Sequence, residues 1–170
     1  EGLHEARLFP GGLAASSSMS GHEAGPGWVI VLDPGHGGHP PGPNDMRNDS
    51  SWNNAVGPRG TLEKTLTLDV AKRVWMQLIS RGRTTVLTRT DDVNPSLRER
   101  AKVTGAWGGD VFVSIHFNAS HGHNAQGTEC FVHPIRNPDS DKLCRAVQGA
   151  TVAALGLRDR NASHPGAVKV

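Results

Sequence analysis

His36, Glu63 and His116 are residues whose types could do chemistry together in this sequence. Two imidazoles and a carboxylate make a catalytic zinc set that leaves a fourth position for water, whereas structural zinc sites close all four positions with protein ligands. Zinc held this way brings the pKa of that water to about 7 and polarises the carbonyl of an amide. The three residues lie far apart in the sequence, so spacing alone does not join them. Each has a plainer reading: a histidine after a strand is more often hydrogen-bonded or solvated, and a glutamate in a first helical turn is usually a capping charge. Their joint meaning depends on the segments that carry them.

The segment WVIVL (28–32) is a short apolar run of strand type, and DPGHGG follows as a turn at its carboxyl end. Open α/β sheets bind ligands beyond the carboxyl ends of their strands, and glycines around His36 let the backbone turn sharply there. From Thr61 the pattern becomes helical. Leu62, Leu66, Val70, Val74 and Leu78 share one face, with Thr61 as the expected N-cap and Gly82 as the stop. Glu63 falls in the first turn, where the helix dipole favours a carboxylate.

Downstream, TTVLTRT (84–90) reads as a strand, and Asn94-Pro95 opens a helix near 95–106. DVFVSIHFNA (110–119) is apolar enough for a strand covered on both faces, with His116 near its end. TECFVH (128–133) reads as a further strand. A helix near 139–155 is expected to turn Leu143, Val147 and Leu155 inward and to end at Gly156. The order β–α–β–α–β–β–α predicts an α/β fold with a mainly parallel sheet.

The rest of the chain sets bounds. Residues 1–27, rich in Gly, Ser and Ala, read as a linker or irregular arm, and residues 39–60, dense in Pro, Asn, Asp and Gly, as a long loop rimming the site. The 170 residues suffice for one domain with a core. A net charge of +2, from 18 basic and 16 acidic residues, gives no push toward nucleic acid. No apolar run is long enough to span a bilayer, and the first residues lack the pattern of a signal peptide. The 2 cysteines, Cys130 and Cys144, match no zinc spacing and are too few for a disulfide framework; one bridge or two free thiols are both open.

Four stretches, in order, carry a resemblance: LDPGHGG (32–38), RGTLEKTLTLDVAKRV (59–74), VLTRTDD (86–92) and VFVSIHFNA (111–119). Together they resemble the zinc-dependent N-acetylmuramoyl-L-alanine amidases of amidase type 3. The resemblance implies a twisted mixed sheet flanked by helices over residues 28–170. It implies hydrolysis of the amide between N-acetylmuramic acid and L-alanine in peptidoglycan, in the periplasm or outside the cell at the wall. It also implies one zinc per chain on His36, Glu63 and His116. Asn118 matches the asparagine of the family's His-x-Asn-Ala motif and is expected to meet substrate, or to make a structural hydrogen bond. Arg89 and Arg100 match family arginines and are read as structural. His39 follows the glycine turn and could reach the site; His121 and His123, in the loop after His116, could offer a contact to substrate or a second metal but are read as solvated loop residues.

The sequence departs from the family pattern in three places. Residues 39–60 are longer than the usual connection, and Thr104-Gly105 replaces an Ala-Asn pair. The family's second glutamate, which takes a proton from the zinc-bound water, is expected beyond Val170, with Glu129 as a weak substitute. The alternative reading is therefore a catalytically impaired, zinc-holding wall-binding module; a carboxypeptidase-like zinc hydrolase of another peptidoglycan bond shares the ligand types without these motifs. The sequence sets no oligomeric state.

Overall fold

The computed structural model describes residues 7–9, 12–15, 27–39, 55–118, 122, 125–133 and 137–160. The expected rim over 40–54, and His121 and His123, lie outside them. The elements in chain order are β1 (Arg7–Phe9), β2 (Gly12–Ala15), β3 (Ile30–Pro34), α1 (Glu63–Ile79), β4 (Thr85–Leu87), α2 (Leu97–Trp107), β5 (Val111–Ile115) and α3 (Pro138–Leu155). The chain divides into two compact units, Glu1–Ala119 and Ser120–Val170.

The first unit is α/β, as expected. Its sheet runs β1-β2-β4-β3-β5. β3 pairs in parallel with β4 on one side and β5 on the other, while β1 and β2 add antiparallel strands beside β4. An irregular arm was expected over 1–27, yet β1 and β2 form within it. Pro10 and Gly11, a turn-favouring pair, separate these strands in the sequence, and open hydrogen-bonding groups on β4 give them an edge to join.

Alternation along β3 builds two layers. Leu32 packs with Ala71 and Leu87, joined by Ile30, Trp75, Leu78, Val113 and Ile115, so α1 covers this face. Asp33, on the opposite face, meets Arg100 of α2. The apolar stripe expected on α1 is not its most buried face. Leu66 and Val74 are exposed, whereas Lys64, Thr67 and Ala71 are buried. The buried face is rotated because Lys64 and Thr67 are drawn into hydrogen bonds with the β3 turn. The α1 N-cap is Leu62 rather than Thr61, without a side-chain cap; the helix is closed by Gly82 as expected, left-handed at φ 72°, with Gly82 N donating to Ile79 O and Arg83 N to Leu78 O.

α2 starts later than Asn94-Pro95 suggests. Ser96 is its N-cap and forms a full capping box with Glu99, two reciprocal bonds. β5 is not covered on both faces: it is the last strand of the sheet order, its burial alternates, and Phe112 is 44% exposed.

In the second unit α3 begins as expected, with Asn137 capping Asp139 and Pro138 in the first turn, and it ends at Gly156 in the left-handed conformation. Its inward residues differ from expectation. Leu143, Val147 and Leu155 are exposed, and Gln148 is the buried residue, because its amide satisfies Thr128 and Asp159. The expected strand over 128–133 reduces to a single bridge between Thr128 and Asp159. No helix among the described residues is long and apolar enough to cross a membrane.

Candidate metal centre

The chain leaves β3 toward β4 on one side and later returns as β5 on the other, so the carboxyl end of β3 is a switch point of the sheet. Beyond the last paired residues, Gly35 N donates to Ile115 O at 3.0 Å, which extends the β3–β5 ladder by one rung. The next residue on each strand is a histidine, His36 and His116. Glu63 enters from the first turn of α1, whose start is held by Glu63 N to Ala55 O at 3.0 Å and by a bridge between Leu62 and Val56.

These three side chains converge. His36 Nε2 and His116 Nδ1 are 3.0 Å apart, and Glu63 Oε1 is 3.3 Å from each. The rings meet edge to face, with centroids 4.7 Å apart. A tetrahedral zinc with bonds near 2.0–2.1 Å sets neighbouring ligand atoms about 3.3 Å apart, so the three distances match one face of such a tetrahedron. Two nitrogens and a carboxylate oxygen aimed at one point form a donor set for a cation. Glu63 and His36 are buried, while the His116 side chain is 43% exposed, which leaves the cluster open on that side.

Burial alone would raise the Glu63 carboxyl. Hydrogen bonds from His116 and His36 and from Phe117 N–H, the last at 2.7 Å, outweigh it and hold the group at about 2. It is therefore an anion at neutral pH.

A buried scaffold holds the His36 turn. His36 adopts φ 61°, a left-handed conformation unusual for a residue with a side chain. Arg100 Nη2 donates to His36 O at 2.9 Å, and its Nη1 reaches Pro34 O at 2.8 Å and Asp33 Oδ1 at 2.7 Å. Asp33 also accepts from Thr88, the residue after β4, and from Ser114 on β5. Arg89, fully buried, donates to Pro34 O, Gly35 O, Lys64 O and Thr67 Oγ1. Burial and the nearby Arg100 charge push the Arg89 guanidinium down to about 10. It stays a cation at neutral pH.

On the far side of the turn, Lys64 Nζ donates to Gly38 O and Asp92 Oδ2, both at 2.6 Å, while Gly38 N donates to Asp92 Oδ1 at 2.8 Å. The structural reading of both arginines agrees with this geometry. The sequence reading did not single out Asp33, Lys64, Thr67, Asp92 or Ser114. All five lie within the four stretches that carry the family resemblance.

The remaining candidates fall elsewhere. Asn118 is exposed, two residues past His116, and His39 is exposed at the end of the glycine turn. Glu129 lies in the second unit, where its Oε1 is 3.2 Å from Arg160 Nη1.

The family model for N-acetylmuramoyl-L-alanine amidase matches residues 30–169. The chain is 36% identical over 135 residues to N-acetylmuramoyl-L-alanine amidase LytC of Bacillus subtilis, covering 79% of this chain and 25% of that protein. It is 32% identical over 133 residues to the sporulation-specific N-acetylmuramoyl-L-alanine amidase of the same organism, covering 77% and 46%. It thus spans between a quarter and half the length of these two relatives. The crystal structure of N-acetylmuramoyl-L-alanine amidase from Clostridium difficile 630 superposes with a TM-score of 0.67 at 32% identity, over 79% of this chain and 67% of that one. The chain belongs to the N-acetylmuramoyl-L-alanine amidase family.

Proposed function

We propose that this chain hydrolyses the amide between N-acetylmuramic acid and L-alanine of the peptidoglycan stem peptide, using zinc held by His36, Glu63 and His116. The observation that carries the reading is the convergence of two imidazole nitrogens and one carboxylate oxygen at 3.0–3.3 Å, at the switch point of the sheet. Family membership supplies the substrate class, and peptidoglycan places the site of action outside the cytoplasmic membrane, at the wall. Zinc, when bound, supplies Lewis acidity and a water of lowered pKa.

The chain's own residues do the positioning. His36 and His116 each present one ring nitrogen to the cluster. Glu63 adds one negative charge, fixed by the Phe117 N–H bond. Arg100 and Lys64 hold the turn that carries His36. We read Asn118, exposed two residues past His116, as a substrate contact, and its change to Ala is expected to raise KM more than it lowers kcat.

The test uses purified sacculi and the full chain. Mass analysis of released material should find free stem peptides with an L-alanine amino terminus; cuts at another bond would refute the amidase reading. Metal analysis should give about one zinc per chain, lost in His36→Ala and in His116→Ala. Full zinc retention in both variants would refute the ligand set.

A further inference from the structure

We propose that Cys130 and Cys144 form a redox-sensitive pair that closes to an intramolecular disulfide and staples α3 to the 128–130 segment beside it. The assignment concerns the second unit alone and stands apart from the amidase reading.

Hydrogen bonds already join these elements. Gln148, one turn beyond Cys144 and on the same helical face, donates Nε2 to Thr128 O at 2.8 Å, Thr128 Oγ1 at 3.0 Å and Asp159 Oδ1 at 2.7 Å. Cys130 follows Thr128 by two residues, and Cys144 precedes Gln148 by one helical turn, so the Gln148–Thr128 bonds bring the two thiols to facing positions. Helix positions 144 and 148 therefore lie opposite residues 130 and 128. The segment is itself fixed. Thr128 N donates to Arg158 O and Arg160 N to Thr128 O, each at 2.9 Å, and Arg160 pairs with Glu129. The backbone at Gly127, φ 116°, lies so close to Arg158 O that a side chain there would collide with it. Both cysteines are half-buried.

Closure needs an oxidant, and a small disulfide such as oxidised glutathione supplies it. One cysteine thiolate attacks the glutathione disulfide, forming a mixed disulfide and releasing one glutathione thiolate. The second cysteine gives its proton to solvent, its sulfur attacks the mixed disulfide at the protein sulfur, and the second glutathione thiolate leaves. Two protein thiols are oxidised and one disulfide is reduced to two thiols. Burial, and then the adjacent Cys144 thiol, push the Cys130 thiol up to about 12. Its thiolate is therefore scarce, and closure quickens as pH rises.

The experiment incubates the reduced full chain with oxidised glutathione, traps remaining thiols with an alkylating reagent and reads intact mass and peptide maps. The expected product is a monomer lighter by two hydrogens, unalkylated, with Cys130 and Cys144 in one linked peptide pair. Hydrogen exchange of α3 amides should slow by about tenfold or more on oxidation, and Cys144→Ser should lose that response. Stable glutathione adducts, an intermolecular dimer or two persistent free thiols would overturn the pairing. A bridge without slower exchange, or slowing retained in Cys144→Ser, would overturn the staple.

Discussion

Gly35 and His116 are packed so closely that a Cβ on Gly35 would collide with the His116 imidazole ring, nearest its Cε1. The contact follows from the ladder: Gly35 pairs with Ile115, so the next residue's ring folds back over the Gly35 backbone. The glycine is needed here for space. Replacing Gly35 with Ala should displace the ring from its place 3.0 Å from His36 Nε2. The expected result is a folded protein whose zinc affinity falls by about tenfold or more, in the range seen when groups that orient a ligand are lost. Zinc titration with circular dichroism as the fold control measures it, and unchanged affinity would refute the steric account.

The Asp33–Arg100 ion pair, 2.7 Å long with side chains only 6% and 4% exposed, lies under the turn that carries His36. Removing one partner of a buried pair leaves an uncompensated charge. Arg100→Met should therefore cost about 3 kcal/mol or more of stability. It should also weaken metal binding, since Arg100 holds the His36 carbonyl. Urea unfolding of wild type and variant checks the first part, and a loss under about 1 kcal/mol would contradict it.

What the sequence revealed and what it hid follow a physical divide. The β3 run, the glycine turn and the first turn of α1 are local signals, so the positions of His36 and Glu63 relative to their elements were readable in advance. The His116 position was readable because the apolar run stops just before it. The supporting shell was not readable, since Asp33 gathers Arg100, Thr88 and Ser114 from three separate segments, and no periodicity in the chain encodes that meeting. The buried face of α1 was misjudged for a related reason. Hydropathy favours Leu66 and Val74, but polar Lys64 and Thr67 are buried by the carbonyls of Gly38 and Gly35, which only the folded turn presents. A similar failure occurs on α3, where an amide with two partners outranks the leucines.

Asp92 supplies a pH signature for the turn. Burial would raise its carboxyl, but the hydrogen bonds from Lys64 and from Gly38 N–H hold it below its ordinary value of 3.8. A carboxyl depressed in the folded state contributes stability that is complete above that ordinary value and is lost as pH falls through the lower, folded one. In metal-free protein, Asp92→Asn should therefore be less stable than wild type near neutrality, and the two should converge in acid. The side chain is 48% exposed, so solvent screening keeps the gap below about 1 kcal/mol. Urea midpoints measured from neutral to acidic pH test it, and a gap that widened in acid would reverse the assignment.

Thr104 marks a place where stability can be gained. Its Oγ1 is buried with no hydrogen-bond partner, while its methyl group lies toward Gly109, close to where a Cβ on that glycine would sit. Within α2 the backbone carbonyl of Thr104 is engaged by Gly109 N at 2.8 Å, so the helix end does not depend on the hydroxyl. Valine keeps the branched shape and removes the unsatisfied oxygen. An unpaired buried hydroxyl costs about 1–3 kcal/mol, and valine has slightly lower freedom to relax in a helix. Thr104→Val is therefore expected to stabilise the protein by about 1 kcal/mol, raising the thermal midpoint while leaving zinc content unchanged. Calorimetry and metal analysis of the same sample decide it: a lowered midpoint would mean that the hydroxyl has a partner in solution, such as a bridging water, and that the site tolerates polarity at this depth.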